Sequence, residues 1–252
     1  MATVFPRDAG VSTPEADEAK KIYEEARRVV STYETVPSGA LRDNCRHPGG
    51  WHMIMPVMVS SMVAEQHFEA RGTDVLLVTM PKCGTTWIKA LLYAAARRTD
   101  DTSSILRQLA SHNSHQLVPF LEAQVYTKDQ IPDLSSLPAP RLFASHIPAE
   151  SLPPSVVASG CKVREQEAGV DRKITEACAM KSMVNQEVNQ SGTTEIIEMP
   201  MPNGVFFRRG VVGDWTNYLT PEMAGRIDEI TKSKFEGTGL MLPKTISEIP
   251  KI

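Results

Sequence analysis

The stretch from Asp74 to Ala96 changes its hydrophobic period abruptly, and that change limits the folds open to the chain. Asp74-Val-Leu-Leu-Val-Thr79 is a short continuous apolar run. It has the form of a strand buried on both faces of a parallel sheet. Pro81 ends it. From Thr85 the spacing becomes helical, with Trp87, Ile88, Leu91, Leu92, Ala95 and Ala96 on one face. Arg97 and Arg98 stand where the helix should end, favourable for its dipole. Strand, tight loop and helix in succession predict an α/β fold.

The loop itself, Met80-Pro-Lys-Cys-Gly-Thr-Thr-Trp87, lies where such folds bind anions. Free N–H groups at the helix start and the helix dipole together attract negative charge. Gly84 allows close backbone approach, Thr85 and Thr86 add hydroxyl donors, and Lys82 adds a mobile charge. The Walker A order does not fit, because the lysine precedes the glycine instead of following it. A strand–helix turn with a solvated lysine is the plainer alternative.

Elsewhere the signals are weaker. Residues 1–13 read as a flexible lead, and Thr13-Pro14-Glu15 opens a helix. Residues 36–50 read as loop, and Met53 to Phe68 as a Met-rich helix. Residues 99–140 read as loop-rich, with one amphipathic stretch near Leu117 to Leu121. Arg141 to Ser145 is a second short strand, running into His146 and stopped by Pro148. Glu165 to about Val188 is helical in pattern, with Ala168, Ile174 and Cys178 inward. Residues 189–204 read as loop. Thr220-Pro221-Glu222 opens a last helix with Met223, Ile227 and Ile230 on one face. Two core strands are few, since a sheet ordinarily has about five or six.

Composition excludes several classes. The formal net charge of −3 gives no basic field for nucleic acid. Cysteines at 45, 83, 161 and 178 form no CxxC pair, so no zinc ribbon is expected and a reducing compartment is. His112 and His115 are close in sequence but lack a third ligand, and surface exposure is expected for both. The N-terminus lacks the basic-then-apolar start of a signal peptide. The longest apolar stretch, Met53 to Ala64, falls short of the about 20 residues that a membrane helix needs. A soluble cytoplasmic protein is expected.

Three stretches, in order, resemble the plant-type cytosolic sulfotransferases. FEARGTDVLLVTMPKCGTTWIKALL (Phe68 to Leu92) is similar to that family's 5′-phosphosulfate loop region. RLFASHIPAESLP (Arg141 to Pro153) resembles the strand and loop that carry its catalytic base. NGVFFRRGVVGDWTNYLTPEM (Asn203 to Met223) resembles its C-terminal signature. The family carries Tyr or a similar residue at the place of Met80, and Ser or Ala at the place of Cys83. The resemblance implies a P-loop-like sulfotransferase fold, a parallel sheet flanked by helices, in one domain over 1–252. The co-substrate it implies is 3′-phosphoadenosine-5′-phosphosulfate, with no metal.

It also implies roles. Lys82 would contact the phosphosulfate and stabilise the leaving oxygen. Cys83, through its backbone N–H, and Gly84, Thr85 and Thr86 would cradle the same group. Trp87 would stack near the adenine, or else pack in the core. His146 would be the general base, suited by an ordinary pKa near 6.5. Arg208, Arg209 and Gly210 resemble an Arg-Lys-Gly turn that grips the 3′-phosphate. Asp214 and Trp215 read as structural.

One block of the family pattern is missing. Ser159-Gly-Cys-Lys-Val163 passes directly into Arg164-Glu-Gln-Glu-Ala-Gly-Val170, which resembles a segment much later in the family. The seam near 163–164 predicts an incomplete sheet, loss of half the 3′-phosphate site and impaired turnover. The expected reaction is sulfuryl transfer to the hydroxyl of a small flavonoid- or steroid-like acceptor. A non-catalytic remnant and a phosphotransferase with an unusual phosphate loop stay open, as does a homodimer.

Overall fold

A computed structural model describes residues 14–38, 42–160, 176–210 and 213–236. The flexible lead, the junction near 163–164 and the inward positions Ala168 and Ile174 lie outside the described residues. The chain divides into two compact units, 1–206 and 207–252.

In the first unit, α1 (Pro14–Val30) carries acids in its first turn and Arg27 and Arg28 in its last, as the helix dipole favours. Its buried residues Ala19, Tyr23, Ala26 and Val30 recur at spacings of four, three and four, one helical face. That face packs on α2 (Met55–His67), whose Met58, Val59, Val63 and Ala64 join the main core with Phe68, Leu76, Leu121, Tyr126 and Phe143. Between these helices the expected loop over 36–50 is interrupted by a small antiparallel sheet of β1 (Thr35–Val36), β2 (Asn44–Arg46) and β3 (His52–Ile54). Strands of two or three residues are too short to display an alternating pattern.

Both predicted core strands form. β4 (Val75–Val78) pairs in parallel with β5 (Leu142–Ser145), Val75 opposite Leu142 and Val78 opposite Ser145. Residues ahead of both strands lock this register. The Arg141 guanidinium grips the Asp74 carboxylate twice, Nε to Oδ1 at 2.8 Å and Nη2 to Oδ2 at 2.5 Å. Both side chains are buried. Arg141 also donates to the carbonyls of Glu69 and Leu134, so its charge is saturated with acceptors. On the far side of β5, Phe120 bridges to Ala144. β5 is therefore buried at every residue, as expected of a central strand. β4 is not buried on both faces as predicted: Leu76 is buried, but Val78 is exposed. Among the described residues no strand pairs with its outer edge.

The helix predicted after the loop is α3 (Thr85–Ala96). Its buried face is the opposite of the apolar face read from the sequence. Thr85, Thr86, Lys89, Ala90, Tyr93 and Ala94 are buried, whereas Trp87 is 41% exposed and Ile88, Leu91 and Leu92 are half-buried. The inward face is set by packing against α5, and the apolar stripe lies on the less covered side.

Residues 99–140 hold more order than expected. α4 (Thr102–Ser111) starts at Asp101, whose carboxylate accepts the Ser104 N–H. α5 (Ser114–Leu117) starts at a capping box formed by Asn113 and Gln116. A π-helical turn, Leu121–Val125, follows. The expected loop over 189–204 contains a hairpin, β6 (Thr193–Ile196) with β7 (Met199–Pro202), turning through Ile197 and Glu198 at positive φ. The Ile197 N–H docks on the Ala123 carbonyl at 2.8 Å. Cys178 is buried, as predicted.

In the second unit the predicted last helix, Pro221–Phe235, is capped by the Thr220 hydroxyl, which accepts the Met223 N–H. Met223, Ile227 and Ile230 are each at least half exposed.

Truncating Arg141 would strand the Asp74 carboxylate without its main counter-ion in the core, which typically costs about 3–5 kcal/mol. Chemical denaturation of Arg141→Ala should show a loss of that order. The double change Arg141→Met with Asp74→Leu should recover part of it, since it removes the charge left unpaired.

Candidate active site

The parallel register brings the ends of β4 and β5 side by side. Thr79 follows β4, and its N–H donates to the Ser145 carbonyl at 3.1 Å. His146 follows β5, and its Nδ1 lies 2.7 Å from the Thr79 carbonyl. A carbonyl only accepts, so Nδ1 carries the proton and Nε2 keeps its lone pair. The Thr79 hydroxyl lies 2.8 Å from that of Thr85 and 3.4 Å from Nδ1 of His146. One residue thus joins the histidine to the start of α3.

Lys82 and Gly84 both turn through positive φ, at 67° and 83°. A side chain at 84 would meet nothing within 4 Å. Glycine serves there because of the left-handed backbone, not for lack of room. Lysine in that region is uncommon and marks a strained position. The first bond within α3 runs from the Ile88 N–H to the Gly84 carbonyl. The N–H groups of Thr85, Thr86 and Trp87 therefore have no intrahelical acceptor. The Cys83 N–H is engaged inside the turn, donating to the Met80 carbonyl at 3.3 Å. Lys82, Cys83 and Gly84 are exposed, and Thr85 and Thr86 are buried.

His146 is held from several sides. Its backbone N–H donates to Glu122 Oε1 at 2.8 Å, and its ring packs on Phe120 with centroids 4.5 Å apart. Burial lowers its pKa below the ordinary 6.5; the Thr79 bond acts the other way, and Lys89 lowers it further. A neutral imidazole with a free Nε2 can accept a proton near pH 7.

Beneath the loop lies a buried polar cluster that the sequence did not disclose. Lys89 is fully buried, its Nζ 3.0 Å from His115 Nδ1 and 3.1 Å from the centre of the Phe120 ring. His115 is not on the surface as expected. It is buried, stacked on Phe120, with Nε2 3.2 Å from the Thr86 hydroxyl. Burial holds Lys89 well below its ordinary pKa, with Glu122 opposing, and holds His115 well below 6.5, with Lys89 adding to the effect. Burial pushes Glu122 up, and its Oε2 makes no hydrogen bond. A lysine inside the apolar run Trp87 to Leu92 was the available signal.

Arg208, Arg209 and Gly210 lie in the second unit. The two guanidinium groups approach the buried Asp214 carboxylate at 3.3 and 3.1 Å. Arg208 also lies over the Tyr218 ring, and Gly210 turns at φ 60°. Two cations on one carboxylate leave one net positive charge, on side chains about 60% exposed. Asp214 is the buried anchor of this turn, whereas Trp215 is about half exposed.

Fold and site define an α/β protein of the phosphate-loop type. The sulfotransferase domain model matches residues 72–163 and 165–239, and the chain belongs to the sulfotransferase family. It is 24% identical to cytosolic sulfotransferase 5 of Arabidopsis thaliana, over 86% of this chain and 96% of the relative. That alignment runs over 314 positions, more than the 252 residues present. It therefore carries a large gap on this chain's side. Among solved structures, an Arabidopsis thaliana protein assigned as a steroid sulphotransferase superposes with a TM-score of 0.60 at 24% identity, covering 93% of this chain and all of that one. Mouse sulfotransferase SULT7A1, complexed with PAP, superposes with a TM-score of 0.53 at 16% identity, covering 78% and 96%.

Histidines with lowered pKa take up protons on unfolding between their folded values and about 6.5. The unfolded state then binds more protons, so stability rises with pH in that window. Glu122, with its raised pKa, acts in the opposite sense above its ordinary 4.5. Thermal melts from pH 7.5 to 5.5 should therefore show a smaller loss of melting temperature for His115→Phe than for the unaltered chain.

Proposed function

We propose that the chain binds the phosphosulfate end of 3′-phosphoadenosine-5′-phosphosulfate on the loop Met80 to Trp87, with His146 as base for a small hydroxyl acceptor. We propose further that turnover is slow, because the block absent near 163–164 would complete the sheet and the 3′-phosphate site. The observation that carries this reading is Thr79, whose carbonyl orients His146 and whose hydroxyl meets Thr85. It ties a proton acceptor to an anion cradle within one hydrogen-bonded unit.

The residues present suit such a donor. The N–H groups of Thr85, Thr86 and Trp87, which have no intrahelical acceptor, and the exposed Lys82 would meet such an anion as donors. In the transfer, the acceptor oxygen would form a bond to sulfur as its proton passes to His146 Nε2. The sulfur–oxygen bond to phosphate would break, and the electron pair would stay on the phosphate oxygen beside Lys82. The Cys83 N–H, already engaged with Met80, would contribute less than its neighbours. Trp87 has enough exposed surface to lie against an adenine ring. The resemblance assigns the 3′-phosphate to Arg208, Arg209 and the turn at Gly210, where both guanidinium groups are already engaged by Asp214. The PAP carried by the mouse structure supports this nucleotide class.

The named relatives are cytosolic, and no described helix is long and apolar enough to cross a membrane. A cytoplasmic location is proposed from the names of those relatives. A flavonoid- or steroid-like acceptor and a homodimer belong to the same proposal. A second reading, a remnant that binds without turning over, is favoured by the outer edge of β4, with which no strand pairs among the described residues. The phosphotransferase alternative gains nothing from the family match.

Calorimetric titration with the desulfated donor, paired with a turnover assay on phenolic and steroidal acceptors, tests the reading. Weak binding with low turnover is expected, and Lys82→Ala should weaken binding about tenfold or more. Binding without any turnover would select the remnant. Tight binding with the activity of a full-length relative would overturn the impairment, and no binding at millimolar nucleotide would overturn the donor site.

A further inference from the structure

Three polar side chains run in line beneath the loop: Lys89 Nζ to His115 Nδ1 at 3.0 Å, and His115 Nε2 to the Thr86 hydroxyl at 3.2 Å. All three residues are buried. His115 is clamped between the rings of Phe120 and Phe206, with centroids 5.3 and 4.4 Å away. Such a line has only two self-consistent hydrogen-bond polarities. In one, Lys89 donates to Nδ1, Nε2–H donates to Thr86, and the Thr86 proton is free to donate outward. In the other, Thr86 donates inward to Nε2, Nδ1–H donates to Lys89, and Thr86 presents lone pairs to the loop. The second requires an uncharged amine, because an ammonium has no acceptor. It would also turn an acceptor toward the anion that the loop is built to hold.

We propose that Lys89 and His115 are positioning residues that fix the Thr86 hydroxyl as an outward donor to the bound phosphosulfate. This rests on the reading of the loop as the donor site. It assigns a purpose to two buried polar groups whose desolvation would otherwise only destabilise the fold. Lys89 acts at a distance, through His115. It makes no direct contact with the nucleotide and anchors the donating end of the line.

The test is the affinity for adenosine 3′,5′-bisphosphate, measured with a thermal melt on each protein. Thr86→Val and His115→Phe should each weaken binding about tenfold, the scale of one hydrogen bond to a charged group. The double variant should bind no more weakly than Thr86→Val alone, because both changes remove the same donor. His115→Gln, which offers an N–H toward Thr86 and a carbonyl toward Lys89, should bind within about threefold of the unaltered chain. Lys89→Met should lose affinity while its melting temperature holds or rises, since it removes a buried amine. A role confined to folding would move melting temperature and affinity together. Effects of Thr86→Val and His115→Phe that multiply, or full affinity in both His115→Phe and Lys89→Met, would overturn the inference. Should His115→Phe fail to fold, His115→Gln and Lys89→Met decide it alone. If the unaltered chain binds no nucleotide, the donor-site reading falls first and takes this inference with it.

Discussion

The in-register parallel pairing of β4 with β5 is the interaction on which the candidate site depends. It places Thr79 and His146 at equivalent points past the strand ends, where a carbonyl on one can take the imidazole proton of the other. The pairing is pinned at its opposite end by the buried Arg141–Asp74 fork. A slip of one residue along either strand would break the fork and separate the histidine from the carbonyl together. Fold stability and the tautomer of the base are thus set by the same alignment.

Much of this was legible in the sequence, for reasons that can be named. An unbroken apolar run, a Pro stop and a sudden change of period suffice to place β4, the loop and α3. The Pro-initiated helices at 14 and 221 announce themselves through their first turns. What stayed hidden was decided by partners distant in sequence. The inward face of α3 follows from packing against α5 and Phe120, and it seats Lys89 where a helical wheel would set solvent. The hairpin at 193–202 turns through Ile197 and Glu198, in place of the Asn-Gly or Asp-Gly that ordinarily marks such a turn. His115 looked like a polar loop residue because the rings that enclose it come from Phe120 and Phe206. Among the candidate site residues, the loop was read as an anion cradle from its own neighbourhood and His146 as a base from the family resemblance, whereas the cluster beneath them offered only a lysine inside an apolar run.

That cluster places a lysine, a histidine and a glutamate in one apolar enclosure, with one Glu122 oxygen left without a hydrogen bond. A chain with a small sheet has little margin for such groups, since native stability is only about 5–15 kcal/mol. The alignment with a relative runs over 314 positions against 252 residues here, yet these polar residues are present.

The outer edge of β4 has a further consequence in crowded solution. Among the described residues no strand pairs with it, so its backbone donors and acceptors are a template on which an extended segment can add, flanked by the exposed Val78 and Met80. Encounters of that kind scale with concentration while folding does not.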